Sequence, residues 1–265
     1  MLKWGFMETT EQRILDLALA TAHRAGAYLE RHRGTGLKIN YKGRVNLVTR
    51  MDTQSESMIV ADITRSFPDH KIVAEEGGGR DADSPWTWVI DPLDGTTNYA
   101  HGLCVYAVSI GVLHNTTPRV AVVHAPALGE TFHAVSGKGA YCNNRPIQVS
   151  QRERLEHCLL ATGFPYDRQE LGGRYLESFA HFLSRARDVR RWGAAALDMA
   201  YVAAGRFDAF WEFGLKAWDT AAGTLLITEA GGRVSDFSGS AFDPFHPQCL
   251  ASNGRIHNAM LAAFV

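Results

Sequence analysis

Two aspartates three positions apart close an apolar run in WTWVIDPLDGTTN: Asp91 and Asp94 follow Trp88-Val89-Ile90, and Gly95, Thr96 and Thr97 come next. Other acids sit in similar settings, Glu75-Glu76 after KIVA, Asp219 in LKAWDTAAG and Asp52 in LVTRMD. Each ends an apolar run or opens a helix, so the backbone can bring them to one edge of packed layers. Carboxylates gathered in a partly dry place cannot all stay ionised unless cations neutralise them. A hard divalent ion meets that need. Mg2+ takes oxygen ligands in octahedral geometry and keeps waters, which suits two carboxylates with a carbonyl between them. The Asp91-to-Asp94 spacing lets one acid bridge two ions while the turn directs the Leu93 carbonyl inward. Gly95 permits close backbone approach, the amides of Gly95 and Thr96 can hold a phosphate, and the Thr96 hydroxyl can orient a water. These parts together describe metal-assisted hydrolysis of a phosphate ester.

Taken singly, the same residues have plainer readings. Asp52 and Asp219 suit helix N-caps, Asp94-Gly95 is an ordinary turn dipeptide, and Glu76 with GGGRDAD reads as a solvated loop. What favours chemistry is their conjunction with the complete string DPLDGTTN.

The elements that must position these groups follow from patterning. TTEQRILDLALATAHRAGAYLERHRG has apolar or small residues at helical spacing from Ile14 to Leu29, with a Thr9-to-Gln12 capping box at its start and Gly34 at its end. A second helix opens at Asp52 and stops before Pro68. KIVAEE, WTWVID, VYAVSIGVL, PRVAVVHA and ETFHAV are short β-rich runs separated by turn residues, which predicts a largely antiparallel sheet, and Gly137-Lys138-Gly139 reads as a hairpin turn. After residues 143–150 the grammar alternates: strand CLLATG, helix GRYLESFAHFLSRARD, helix AAALDMAYVAAG, strand FDAFWEF, helix DTAAGTLLITEAGG, strands GRVSDF and QCLAS, and a last helix from Asn253. The result is an α+β class with a second, mixed sheet, and an expected division into residues 1–147, carrying most of the acids, and 148–265, carrying Asp219.

Composition narrows the function. With 27 basic against 28 acidic residues no global field draws the chain to nucleic acid or a membrane surface, so an anionic ligand must be held locally. The basic run RARDVRR reads as a solvated helix face. Cys104, Cys142, Cys158 and Cys249 are scattered, which points to a reducing, cytoplasmic setting. The start has too short an apolar run for a signal peptide, no stretch is long enough to span a membrane, and regular patterning begins only after Met7. No Walker A or G-x-S-x-G string is present.

DPLDGTTN, with EE upstream and WDTAAG downstream, resembles the inositol monophosphatase family of Mg2+-dependent, lithium-sensitive phosphatases, and the likeness runs from NLVTRMD to TEAGG. That resemblance implies a five-layer αβαβα sandwich, usually a homodimer, with two or three Mg2+ ions. It implies that Glu75, Asp91 and the Leu93 carbonyl bind one ion, that Asp91, Asp94 and Asp219 bind a second, and that a weaker third sits near Glu75. Asp52 and Thr96, with Glu75, match positions that activate the attacking water, and the Gly95 and Thr96 amides match the phosphate cradle. Gly193, Ala194, Ala195 and Glu212 match positions lining the substrate's alcohol, Glu212 being suited to accept hydrogen bonds from cyclitol or sugar hydroxyls. Ala194 stands where relatives often carry a hydroxyl. The expected substrate is a small phosphate monoester, myo-inositol 1-phosphate first, with histidinol phosphate, fructose 1,6-bisphosphate or a 3'-phosphonucleotide as rivals; no added basic cluster for a second phosphate is evident. A reading of another class is a regulatory, partner-binding protein whose phosphatase activity is incidental.

Overall fold

The computed structural model describes residues 9–34, 39–42, 46–165 and 168–264. Helix α1 (Thr10–His32) starts where patterning predicts it, with Thr9 Oγ1 accepting from the Gln12 amide at 3.2 Å. Only half of the expected capping box forms, because Gln12 turns its side-chain amide to Asp16. A hairpin of β1 (Ile39–Lys42) and β2 (Asn46–Thr49) follows, and then α2 (Arg50–Ser66). Since α2 opens two residues before Asp52, that acid lies inside the first turn and is not the N-cap that the sequence suggests.

Strands β3 (Lys71–Ala74) and β4 (Trp86–Asp94) are parallel; α3 (Thr96–Ala100) comes directly after β4. With β5 (Ala107–His114), β6 (Thr117–Ala125), β7 (Glu130–Val135), β8 (Ala140–Cys142) and β9 (Arg145–Ile147) they make a seven-stranded sheet in sequence order, antiparallel from β4 onward. The predicted Gly137-Lys138-Gly139 turn joins β7 to β8.

The second sheet has the order β11-β10-β12-β14-β13 and is mixed. It is built from β10 (Leu159–Thr162), β11 (Asp188–Arg190), β12 (Ala209–Phe213), β13 (Arg233–Ser235) and β14 (Gln248–Ser252). Its helices are α4 (Arg168–Leu183), α5 (Ala195–Ala203), α6 (Ala217–Glu229) and α7 (His257–Leu261).

Five layers result. α1 and α2 cover one face of the large sheet, α5 and α6 fill the space between the sheets, and α4 and α7 lie outside the small sheet. The central position explains the composition of two helices. AALDMAYVA and AWDTAAGTLLITE are apolar nearly all round, as helices pressed from both sides must be. β4, β5 and β6 are likewise buried on both faces and read as near-continuous apolar runs. Gly111 of β5 lets α6 sit directly on the sheet: a Cβ there would stand 2.8 Å from Ala221 Cβ and 2.9 Å from the Ala222 amide.

Other elements differ from the sequence expectation. α4 runs from residue 168 to 183 rather than through RARD, and the RARDVRR segment is a turn followed by edge strand β11, not a helix face. α6 opens at Ala217 with Lys216 as its N-cap, so Asp219 is its third residue. The last helix begins at His257.

Candidate active site

The site grows from the broken end of β4. Its pairing with β5 shifts register between Asp91 and Asp94, where Pro92 has no amide to give the ladder. Both acids keep a partner in β5, Asp91 opposite Ser109 and Asp94 opposite Ala107, and the irregularity between them sets their spacing. Asp91 Oδ1 accepts from the Leu93 amide at 2.9 Å. Gly95 then takes a left-handed φ of 88°, and a Cβ there would lie 2.8 Å from the Val105 carbonyl, so glycine is required for the turn into α3. Thr96 Oγ1 stands 2.9 Å from Asp52 Oδ1 and 3.1 Å from the Leu93 carbonyl, donating its proton between them.

Asp94 serves a second element. α5 begins after Ala194, which has no side-chain oxygen to cap it, and Asp94 Oδ2 accepts from the Leu197 amide at 3.2 Å, with the Ala195 and Ala196 amides also directed at the carboxylate. The positive end of α5 thus faces the acids. Asp219 accepts from the Lys216 amide at 2.6 Å, which fixes it at the start of α6.

A cavity of about 440 Å3 joins these groups. Glu75, Asp91, Leu93, Asp94, Gly95, Thr96 and Asp219 line one part of it, and Gly163, Phe164, Pro165, Arg191, Gly193, Ala195, Glu212 and Lys216 line the rest. That size suits a small polar metabolite. Of the residues matched to the alcohol side, Gly193, Ala195 and Glu212 do line the cavity. Ala194 does not: it is 1% exposed and packs behind Gly95, whose Cβ would stand 3.2 Å from its own. Asp52 is buried beneath Thr96 and acts on the cavity through that hydroxyl. A second cavity of about 630 Å3, lined by Arg152, His157, Arg187, Asp188, Arg190 and Arg206, contains none of these acids.

Burial and mutual repulsion leave the acids short of a counter-charge. Burial, then Asp219 and Glu76, push Glu75 up to about 8, although a hydrogen bond with Asp91 holds it down. Two carboxyls hydrogen-bond only when one keeps a proton. Burial, then Glu75, Asp94 and Asp219, raise Asp91 well above the carboxylate range. Burial and Asp219 bring Asp94 to about 7 despite the α5 amides, and burial takes Asp219 to about 6 against the Lys216 amide bond. Glu212 is raised to about 8 by burial and Asp219, with Arg191 pulling the other way.

The donor chemistry, carboxylate and carbonyl oxygen throughout, fits a hard divalent ion. The side chains as they stand are not closed on one: among the described residues no group of three His, Cys, Asp or Glu side chains is arranged to hold a metal. Asp91, Asp94 and Asp219 each spend an oxygen on a backbone amide instead.

Residues 10–265 match the inositol monophosphatase family model. The chain belongs to this family. It is 44% identical over 257 residues to a Nus factor SuhB of Pseudomonas aeruginosa, covering 94% of this chain and 95% of that one. An inositol-1-monophosphatase of Synechocystis is 43% identical over 260 residues, 97% of this chain and 91% of the relative. Among solved structures, an inositol monophosphatase from Anabaena superposes with a TM-score of 0.87 at 41% identity, over 96% of both chains. A phosphatase of the inositol monophosphatase family is accordingly what the chain encodes.

Within that family frame, the structure adds residues that sequence reasoning passed over. Arg191 and Lys216 bring two cations to the cavity, where Arg191 opposes the upward shift of Glu212 and Lys216 that of Asp219. Gly163 is another. A Cβ on it would fall inside the contact distance of the Glu212 carboxylate, so its bare backbone is what leaves Glu212 room. Gly163→Ala is expected to displace Glu212 at little cost in stability, since the carboxylate ends a flexible side chain. It should raise KM for a polyol phosphate about tenfold and change kcat less, as loss of ground-state binding does. Steady-state kinetics on the variant checks this; an unaltered KM would mean that Glu212 does not touch the alcohol.

Proposed function

We propose that this chain is a Mg2+-dependent phosphomonoesterase that releases phosphate from a small polyol phosphate, with myo-inositol 1-phosphate as the leading substrate. The observation that carries this reading is one cavity with five acids along it: Glu75, Asp91, Asp94 and Asp219 clustered around the end of β4, and Glu212 across from Gly163. The first group would hold two or three Mg2+ ions together with the Leu93 carbonyl, their side chains turning from the backbone amides that they now bond. Glu212, with Gly193 and Ala195, would receive the alcohol's hydroxyls.

Divalent ions supply charge neutralisation and Lewis acidity at such a site. The chain's own groups do the rest. Asp52 accepts the Thr96 proton, which leaves the Thr96 oxygen's lone pairs to hold a water. Glu75 holds a proton more tightly than a free carboxyl does because of burial and its neighbours, and it would accept from that water only once bound cations had displaced that proton. The Gly95 and Thr96 amides and the amide end of α5 offer fixed dipoles to an anionic ester. In-line attack would pass the leaving oxygen toward the Glu212 part of the cavity.

Lithium sensitivity and a homodimeric state belong to the same proposal. So do the rival substrates: Arg191 and Lys216 remove the argument against a second phosphate, which keeps fructose 1,6-bisphosphate and 3'-phosphonucleotides in the comparison with histidinol phosphate. Saturation kinetics with Mg2+ on these four and myo-inositol 1-phosphate is the test, the cyclitol ester being expected to give the highest kcat/KM. Absence of phosphate release from every ester at saturating Mg2+ would overturn the proposal. A second reading, a regulatory protein acting through a partner, is favoured by one observation, the relative named Nus factor SuhB. An Asp94→Asn protein that still rescued a deletion phenotype would support it.

A further inference from the structure

Helix α2 presents three residues at helical spacing, Asp52, Ser55 and Glu56, each bonded to a different segment of the site. Asp52 Oδ1 takes the Thr96 hydroxyl at 2.9 Å, and Ser55 Oγ donates to the Pro92 carbonyl at 3.0 Å, inside the break between Asp91 and Asp94. Glu56, 3% exposed, takes two amides: Oε2 accepts from Glu76 N at 2.7 Å and Oε1 from Gly78 N at 2.6 Å.

Those two amides belong to the loop that carries Glu75. The chain leaves β3 at Ala74, and the last bond tying it to β4 is Glu75 N to the Ile90 carbonyl at 3.3 Å. Beyond it, Gly77 adopts a φ of 92°, a left-handed turn that lets the amides on either side of it meet one carboxylate. Paired amides around a left-handed residue form a concave anion site. Here a buried side chain of the same protein fills it. A bridge between Ile72 and Arg80, with bonds of 2.8 and 2.9 Å, closes the loop at its far end, and between that bridge and the Glu75 amide the Glu56 carboxylate holds the backbone at Glu76 and Gly78.

We infer that Glu56 is the positioning residue for Glu75: its two-amide clamp sets the loop, and the loop sets the Glu75 carboxylate against Asp91. The inference rests on the proposed role of Glu75 as an ion ligand, and its clamp half stands without that role. Charge and geometry both matter. Gln has the same shape, but it offers one oxygen and presents an N–H to the second amide, so half of the clamp becomes a repulsion.

The test uses Glu56→Gln, Glu56→Asp and Glu56→Ala in the full chain. Hydrogen exchange of the Glu76 and Gly78 amides in the metal-free protein reports the clamp, and the Mg2+ concentration for half-maximal phosphate release reports the ligand. Glu56→Gln is expected to speed exchange at both amides at least tenfold and to raise half-saturating Mg2+ by about ten- to a hundredfold, the usual effect of losing a group that orients a ligand. KM for the ester should move less than twofold. Added acetate should partly restore both readouts in Glu56→Ala, because it returns a carboxylate to the two amides, and should do nothing for Glu56→Gln. Glu56→Asp, which reaches one amide, should fall between, and it serves if the Gln variant does not fold. Unchanged exchange at both amides would overturn the clamp. Faster exchange with unchanged Mg2+ half-saturation would overturn the positioning role. If the wild type itself shows no Mg2+-dependent phosphate release, the proposed function fails, and the exchange result still decides the clamp.

Discussion

Asp94→Asn is expected to lower phosphate turnover by roughly a thousandfold or more, while the metal-free protein melts no earlier than the wild type. The activity loss follows from charge. Asp94 is the acid proposed to face both an ion and the end of α5, and an amide offers one acceptor oxygen and no negative charge. The stability half follows from repulsion. Burial and Asp219 raise Asp94 to about 7, so near neutral pH its ionised form is held in the fold at a cost. Asn removes that cost and can still accept from the α5 amides. The kcat at saturating Mg2+ and a melt in chelator check the two halves. Unchanged turnover would sink the proposed mechanism; a much lower melting temperature would mean that the charged cap on α5 outweighs the repulsion.

Adding Mg2+ to metal-free protein should raise the melting temperature, and by more at pH 8 than at pH 5.5. Glu75, Asp94 and Asp219 have folded values of about 8, 7 and 6, all above the carboxylate range of an unfolded chain. A group raised in this way contributes stability that is fully present below its unfolded value and is lost as pH rises through its folded value. The metal-free fold therefore weakens from about pH 4 to 8, the window between those values, as protons leave the cluster. Bound cations replace those protons. At a hundredfold excess over Kd the ligand adds about 2.7 kcal/mol, on the order of 5 to 10 °C for a chain of this size. Melts across pH with Mg2+ or chelator measure it. A shift that is equal at both pH values would show that these carboxylates do not bind the ion.

The parts of this molecule that were legible in sequence are those where one element carries its own signal. The apolar runs of β4, β5 and β6 and the Ala-rich α5 and α6 follow directly from burial on two faces, and DPLDGTTN marks the break at the end of β4. Short edge elements were missed because nothing apolar marks them: β11 is Asp-Val-Arg, and the chain around it reads as a charged helix. The caps were misplaced for another reason. Asp52 and Asp219 are good N-cap residues by type, but Arg50 and Ala217 open those helices earlier, and the acids then face the site from the first turn. Gly163 and Glu56 act across long sequence separations, through Glu212 and the loop after β3, so no local motif marks their role, whereas Ala194, matched by resemblance to the substrate's alcohol, lies behind Gly95 instead. Glu56 alone left a trace, four positions after Asp52 on the same helix.

The seat of α6 on Gly111 has an outcome for how this scaffold can diversify. Backbone lies on backbone there, so the anchor of Asp219 has no slack that a nearby change could exploit. The opposite wall, Gly163 to Pro165 and Gly214 to Lys216, is made of connecting loops. New selectivities can thus arise by redrawing those connections while the carboxylate half of the site keeps its dimensions.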